Sequence, residues 1–225
     1  MIARSVQDLK KYYNSHRSSP LRFIHSDSCN QIVLIRHGEP DLVKDVWANR
    51  NAALDYVRTY DSVGVLPLVD LHLSLEELKV NHVFSSPTPR AFHTAQLLFT
   101  DRIEIVTDHR FREFERKIFR IPWLGISLPL QFWLVFSRVL WLLGLNSSGI
   151  ESKTKAYIRG KENAEFLIDE AVKHENAFLV AHGFHNKVVA DALVNKGWLQ
   201  VYNGGRGYAA INIFAKKSSV KIFAN

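Results

Sequence analysis

Cysteine is nearly absent from this sequence of 225 residues, which contains Cys29 alone. A single thiol excludes an internal disulfide, so folding does not depend on an oxidising compartment. Residues 1–17 also lack the apolar core of about 7–15 residues that a secretory signal needs. The expected location is therefore cytoplasmic, and peripheral contact with a membrane is the one variation considered below.

Acidic charge is in deficit, because Lys and Arg total 29 against 22 Asp and Glu, which gives a net charge of +7. A basic surface favours anionic partners such as phosphate esters, nucleic acids or anionic lipid headgroups. No basic stretch alternates with aromatic residues, and no nucleic-acid-binding motif occurs, so nucleic acid is not an expected partner. Net charge alone is a weak indicator, and the motifs have to identify the ligand.

Strand and helix patterns alternate along most of the chain. The apolar fraction of 47% is ordinary for a globular protein, and the length suits a single domain over residues 1–225, with residues 1–28 as an N-terminal extension. The alternation predicts an α/β fold, a three-layer α/β/α sandwich with a mostly parallel sheet. Predicted strands are Gln31–Ile35, His82–Ser85, Ile103–Val106, Ala177–Ala181, Tyr208–Phe214 and Val220–Phe223; predicted helices are 3–17, Pro87–Phe99, Glu151–His174 and 185–196. Residues 41–80 stay unassigned, apart from a helical turn or two at Leu73–Lys79.

Two of the predicted strands end in the same dipeptide. His37-Gly38 follows the first strand, and His182-Gly183 follows the strand that ends at Ala181. Ligands of open parallel sheets bind just beyond the carboxyl ends of the strands, so both histidines are expected at one site. A single His-Gly would be read as an ordinary loop histidine. Two of them at matching strand ends favour a shared function.

The residues around these dipeptides suit phosphoryl transfer. That reaction needs a nucleophile in line with the leaving group, positive charge around the equatorial oxygens and a proton for the leaving oxygen. His37 and His182 supply imidazoles, while Arg36 and Arg90 supply planar guanidinium groups that match two phosphate oxygens at once. No metal site is apparent, since His185 is the only close neighbour of His182 with a plausible geometry and suits a pocket rim or helix start better. No cofactor is therefore expected.

The chain carries four short motifs in order. They are Arg36-His37-Gly38-Glu39, Ser85-Ser86-Pro87 with Arg90 and Thr94-Ala95, Phe111-Arg112-Glu113, and Ala181-His182-Gly183. Together they resemble the histidine phosphatase superfamily, whose fold is phosphoglycerate mutase-like, over about residues 31–215. The resemblance implies a metal-independent phosphatase in which His37 becomes a phosphohistidine, Arg36, Arg90 and His182 hold the phosphate, and Glu113 acts as general acid and base.

Several alternatives stay open at the level of sequence. Glu113 could be a surface glutamate of the charged stretch 110–117, and Glu115 competes with it for the acid/base role. Members of the family often carry Thr and Asn where this chain has Pro40 and Val43, and a glycine expected near 117–120 is missing. The substrate is therefore unidentified. A phosphatase is favoured over a phosphomutase and over a non-catalytic phospho-ligand binding protein.

An apolar stretch separates Glu113 from the helix that begins near residue 151. Ile121–Ser137 carries no charge, and residues 117–150 are predicted to form a helical cap inserted in the domain. A single membrane crossing would put Glu113 and His182 on opposite sides of the bilayer, which a shared site forbids. The helix expected at about Leu130–Leu145 has only a thin polar stripe and should be buried nearly all round. Residues 121–145 are open to three interpretations: a lid on its own domain, a homodimer interface, or a contact with a membrane or an amphiphilic substrate.

Overall fold

The computed structural model describes residues 29–43, 46–68, 80, 82–99, 103–120 and 126–217. The predicted extension over residues 1–28, the helical turns at Leu73–Lys79 and the strand at Val220–Phe223 lie outside this part of the chain. The division into an extension, a domain and a cap therefore remains a prediction.

The described residues form eight strands, five α-helices and one short 3₁₀ helix, His109–Phe111. The strands are β1 (Cys29–Arg36), β2 (Trp47–Ala48), β3 (His82–Ser85), β4 (Glu104–Thr107), β5 (Leu128–Pro129), β6 (Asn176–Ala181), β7 (Leu199–Asn203) and β8 (Ile211–Lys217). The helices are α1 (Arg50–Ser62), α2 (Pro89–Leu98), α3 (Leu130–Leu142), α4 (Lys153–His174) and α5 (Gly183–Asn195).

Six strands form one mixed sheet in the order β4-β3-β6-β1-β8-β7, while β2 and β5 pair separately. The four strands from β4 to β1 are parallel, and β8 and β7 are antiparallel additions at one edge. The prediction of an α/β fold with a mostly parallel sheet is confirmed. The C-terminal strand pairs with β7, which the sequence analysis did not assign, across a turn in which Gly204 lies against the backbone of Ile211.

Helices cover both faces of the sheet, which produces the predicted three layers. In β1, Val33 and Ile35 face α2, while Ile32 and Leu34 face α4 and α5. All four side chains are essentially inaccessible to solvent. Because both faces are covered, the strand reads as a continuous apolar run rather than as an alternating one.

Helix α1 lies in the stretch that sequence patterns left unassigned. The apolar face of this helix is short: only Ala53 is fully buried, and Leu54, Tyr56 and Val57 are partly buried. Its start is defined by Asn49, whose side chain accepts a hydrogen bond from the Ala52 amide at 2.9 Å. The helix matters for the site, because Tyr60 projects from its last turn.

Helix α3 packs on its own domain along one side only. Leu130, Trp133 and Trp141 are buried, and the Trp133 indole donates to the carbonyl of Ala48 at 2.7 Å. Phe132 and Val135, on the other side, are 45% and 60% exposed. The expectation of burial nearly all round is thus wrong for the described structure, because α1 and the segment before the helix cover a single face. No helix in the described ranges is both long and apolar enough to cross a membrane.

Candidate active site

His37 follows the last residue of β1 and is buried, with 2% of its surface exposed. Its Nδ1 atom lies 2.8 Å from the carbonyl oxygen of Gly38. A carbonyl only accepts hydrogen bonds, so Nδ1 must carry the proton in this contact, and the ring's lone pair is then on Nε2. The imidazole is therefore fixed in the tautomer that a nucleophile needs.

His182 occupies the equivalent place after β6, where it caps the start of α5. Strands β1 and β6 are parallel neighbours, with Arg36 opposite Ala181, so their carboxyl ends bring the rings of His37 and His182 to a centroid distance of 5.2 Å. The two His-Gly dipeptides thus converge. Burial, together with the charges of Arg90 and His37, holds the pKa of His182 well below its usual range, so this imidazole is neutral.

The hydrogen bonds of His182 fix its tautomer as well. Nδ1 lies 3.5 Å from Nη2 of Arg90, and a guanidinium can only donate. Nε2 then carries the proton and donates to the hydroxyl of Ser86 at 2.8 Å, with the hydroxyl of Thr88 at 3.3 Å. A neutral imidazole that still presents an N–H can donate to a ligand oxygen without carrying charge.

Two guanidinium groups face this pair of histidines. Arg90, buried in the first turn of α2, donates to the Tyr60 carbonyl at 2.8 Å and to Asp61 at 3.0 Å. Arg36 donates to the Arg206 carbonyl at 2.5 Å and lies over the ring of Tyr208. Within the described residues, the Nε atoms of Arg36 and Arg90 are buried without a hydrogen-bond partner. Buried donors of this kind are costly unless an acceptor reaches them, and an anion such as phosphate supplies one.

Gly183 permits the close packing of Arg36 against the start of α5. A Cβ at this position would lie 3.1 Å from Nε of Arg36, tighter than ordinary contact. On the other side, the Gly38 amide donates to the Thr94 hydroxyl at 2.8 Å, and that hydroxyl donates to the Arg90 carbonyl at 2.6 Å. These contacts join the ends of two strands to the helix that carries Arg90.

The structure separates the two candidate acid/base carboxylates. Glu113 accepts from the backbone amides of Phe184 at 3.4 Å and His185 at 3.1 Å, in the first turn of the helix that His182 caps. Glu115 accepts from the amide of Glu151 at 2.8 Å, next to the start of α4. Glu113 is thus the one tied to the helix of His182.

Tyr60 was not singled out from the sequence, and Ser86 was named there only as part of a motif, without a role of its own. The Tyr60 ring stacks on the Arg90 guanidinium at 4.4 Å and lies 6.3 Å from the ring of His37. Burial, together with the neighbouring Tyr208, raises the pKa of Tyr60 to about 12, although the charges of Arg90 and Arg36 lower it. The phenol therefore keeps its proton. Nothing in the sequence pattern of α1 indicated that Tyr60 would lie at the site. Ser86 could have been found, because it follows β3 at the same sheet edge as the two histidines.

His185 lies in the first turn of α5, as the sequence suggested, but it is fully buried rather than at a pocket rim. Its Nε2 lies 2.8 Å from the amide nitrogen of Asn163, which also donates to the carbonyl of Arg110. Burial, reinforced by the charge of Arg159, lowers the pKa of His185 to about 3. Among the described residues, no group of three or more His, Cys, Asp and Glu side chains could hold a metal ion.

Stability should fall in mild acid because of His185. The unfolded chain binds a proton at this histidine near its ordinary pKa of 6.5, whereas the folded chain does so only near 3. Between these values the unfolded state holds more protons, so stability present above pH 6.5 is lost as the pH falls. We expect the free energy of unfolding, measured in urea, to depend less on pH in His185→Gln than in wild type. The two slopes should differ by about 1.4 kcal/mol per pH unit between about pH 6 and pH 4. Equal slopes would show that the folded protein protonates His185 normally.

Two histidines and two arginines lie together at the carboxyl edge of a mostly parallel sheet in an α/β protein, an arrangement whose charge suits an anionic ligand. The profile of the histidine phosphatase superfamily (branch 1) matches residues 32–220. The chain therefore belongs to the histidine phosphatase superfamily, as the four motifs suggested.

Solved structures share the fold at low sequence identity. A mycobacterial glucosyl-3-phosphoglycerate phosphatase is 20% identical with a TM-score of 0.51, over 83% of this chain and 90% of that one. The ecdysone phosphate phosphatase from Bombix mori, solved in complex with tungstate, is 17% identical with a TM-score of 0.50, over 84% of this chain and 92% of that one. Mycobacterial hydrolase 2 is 20% identical with a TM-score of 0.52, over 86% of this chain and 84% of that one. A search of curated proteins found no significant match.

Proposed function

We propose that this protein is a metal-independent phosphatase that hydrolyses a phosphoric monoester through a phosphohistidine at His37. The observation that carries the proposal is the fixed tautomer of His37, whose Nδ1 is bonded to Gly38, beside the guanidinium groups of Arg36 and Arg90, whose buried Nε atoms lack an acceptor among the described residues. A ligand-binding protein needs the positive charge but has no need for a nucleophilic nitrogen. The combination therefore favours catalysis.

In the first step, Nε2 of His37 attacks phosphorus and the bond from phosphorus to the ester oxygen breaks. Arg36 and Arg90 stabilise the charge on the equatorial oxygens, and the Nε2–H of the neutral His182 turns from the hydroxyl of Ser86 to donate to one of them. Glu113, in its acid form, gives its proton to the leaving oxygen, so the products are an alcohol and phosphohistidine. Arginine suits this task because its planar fork reaches two oxygens at once.

In the second step, a water molecule attacks the phosphohistidine. Glu113, now a carboxylate, takes a proton from the water, the bond between nitrogen and phosphorus breaks, and inorganic phosphate leaves. His37 returns to its starting tautomer through its bond to Gly38. The arginines supply the charge that a metal supplies in other phosphatases, so the cycle requires no cofactor.

Glu113 is proposed as the acid and base because of its position. It is bonded to the first turn of the helix that begins after His182, whereas Glu115 is bonded to the amide of Glu151 at a different helix. Amide donors hold the Glu113 carboxylate in place, and its side chain is only partly buried, so water can reach it. A role for Glu115 in proton transfer has no comparable support.

The proposed substrate is a small phosphate ester with an apolar portion. The rings of Tyr208 and Tyr60 lie 5.7 Å and 6.3 Å from the ring of His37, which makes aromatic walls beside the nucleophile. Such walls favour an amphiphilic leaving group over a plain sugar. A cytoplasmic location is part of the proposal, because one cysteine gives the chain no need of an oxidising compartment.

The test is phosphate release from p-nitrophenyl phosphate in the presence of excess EDTA. We expect turnover that the chelator leaves unchanged, and a phosphorylated peptide containing residue 37 after rapid quenching at alkaline pH. Isomerisation of a bisphosphate or monophosphate without phosphate release would instead identify a phosphomutase. Tight binding of tungstate without turnover of any ester would identify a binding protein. Activity lost with EDTA would contradict the metal-independent mechanism.

A further inference from the structure

Helix α3 has two apolar faces, of which its own domain covers one. The uncovered face, here called the outer stripe, consists of residues spaced one helical turn apart. Their exposed fractions range from 38% to 65%. The members are Phe132, Val135, Phe136, Val139 and Leu143.

The outer stripe helps to hold the helix on the domain only through Phe132 and Phe136, whose rings lie 6.5 Å and 4.9 Å from that of the buried Phe119. The buried face, with Trp133 and Trp141, already attaches α3, and Arg138 adds hydrogen bonds to the carbonyls of Phe114 at 2.7 Å and Glu115 at 3.1 Å. Within the outer stripe the rings of Phe132 and Phe136 stack at a centroid distance of 5.4 Å. An exposed apolar surface of this kind commonly marks an interaction site.

Positive charge predominates in the segment that carries the outer stripe. Residues 116–150 contain four Lys and Arg but no Asp or Glu. Lys117 donates to the carbonyl of Ser148 at 2.6 Å and Lys153 to that of Leu142 at 3.2 Å, so two ammonium groups lie at the C-terminal end of α3. Arg120 is also exposed.

We propose that the outer stripe docks on the surface of a membrane that contains anionic lipid. Apolar side chains would enter the boundary between headgroups and acyl chains, and the bordering cations would meet lipid phosphates. Helix α3 has 13 residues and is about 20 Å long, too short to cross a hydrocarbon core of about 30 Å, so it lies in the plane of the surface.

Charge decides against a second copy of the chain as the occupant. In a two-fold symmetric dimer the same patch faces itself, so the cations around one stripe would face those around the other. Residues 116–150 offer no carboxylate to pair with them. An anionic lipid surface neutralises these charges, whereas a copy of the same face repels them.

The experiment is flotation of the full chain with vesicles of phosphatidylcholine, with and without phosphatidylglycerol. We expect binding to the anionic vesicles that weakens as salt rises, and little binding to the neutral ones. Val135→Asp should reduce the bound fraction about tenfold, because a carboxylate on the inserted face opposes both insertion and the anionic surface. The matched control is Val172→Asp, since Val135 is 60% and Val172 is 63% exposed, each on a helix surface. Circular dichroism melts should show that both variants fold.

Three results would overturn the proposal. The first is that the folded wild-type protein does not float with anionic vesicles at low salt. The second is equal flotation of Val135→Asp and Val172→Asp, which would place any membrane contact elsewhere. The third is a dimer, detected by light scattering, that Val135→Asp dissociates, which would make a second copy the occupant. None of these measurements depends on phosphatase activity, so they test membrane docking independently of the proposed function.

Discussion

Replacement of His37 by asparagine is expected to reduce phosphate release by about 10⁴-fold or more, the scale of loss that follows removal of an enzyme's nucleophile. Asparagine can keep the bond that Nδ1 makes to the Gly38 carbonyl, because its amide nitrogen occupies a similar position. It has nothing in place of Nε2. The variant therefore removes the attacking atom with little change to the surrounding packing.

The matched control for this experiment is His109→Asn. His109 is exposed in the 3₁₀ helix before Glu113 and makes no side-chain hydrogen bond recorded in the described structure. We expect it to keep wild-type turnover. His37→Asn should still bind tungstate, measured by calorimetry, because Arg36 and Arg90 remain. Turnover within tenfold of wild type in His37→Asn would contradict a phosphohistidine at this position.

The second large effect concerns Glu113 and depends on the leaving group. Glu113→Gln cannot give a proton, so hydrolysis of an alkyl phosphate should slow by about 10²- to 10⁴-fold. p-Nitrophenyl phosphate should be affected much less in its first step, because nitrophenolate leaves without being protonated. The rate of leaving-group release in the first turnover, for a series of esters with leaving groups of different pKa, would measure this difference, because the second step also uses Glu113.

Glu115→Gln is the matched control, because the same change is made two residues away. Glutamine retains an oxygen that can accept from the Glu151 amide, so the loop should keep its structure. We expect no dependence on the leaving group in this variant. If Glu115→Gln showed the steep dependence and Glu113→Gln did not, the proposed acid and base would have to be exchanged.

The elements that sequence patterns found carry continuous apolar runs or several fully buried apolar positions. β1 and β6 read as buried strands because helices cover both faces of the sheet, and α2 and α4 carry regular apolar positions. α1 and β7 were missed because few of their positions are fully buried. α1 buries a single residue completely, and β7 lies at the sheet edge with only Val201 buried.

The residues of the candidate site also divide into those that the sequence could predict and those that it could not. The approach of His37 and His182 could be predicted because both end neighbouring parallel strands, a rule that relates sequence position to place in the sheet. Tyr60 could not be predicted, because its contacts with Arg90 and His37 join segments 30 and 23 residues apart that share no sequence pattern.

The sequence by itself determined the family, the parallel sheet and the set of imidazole and guanidinium groups at its edge, since motifs and strand periods are local. Only the tertiary structure decided which carboxylate accompanies His182 and which face of α3 is left uncovered. Two glutamates separated by one residue differ in their distant hydrogen-bond partners, Glu113 at α5 and Glu115 at α4. A helix that is apolar nearly all round does not specify which side its own domain will cover, because that depends on segments far away in the chain.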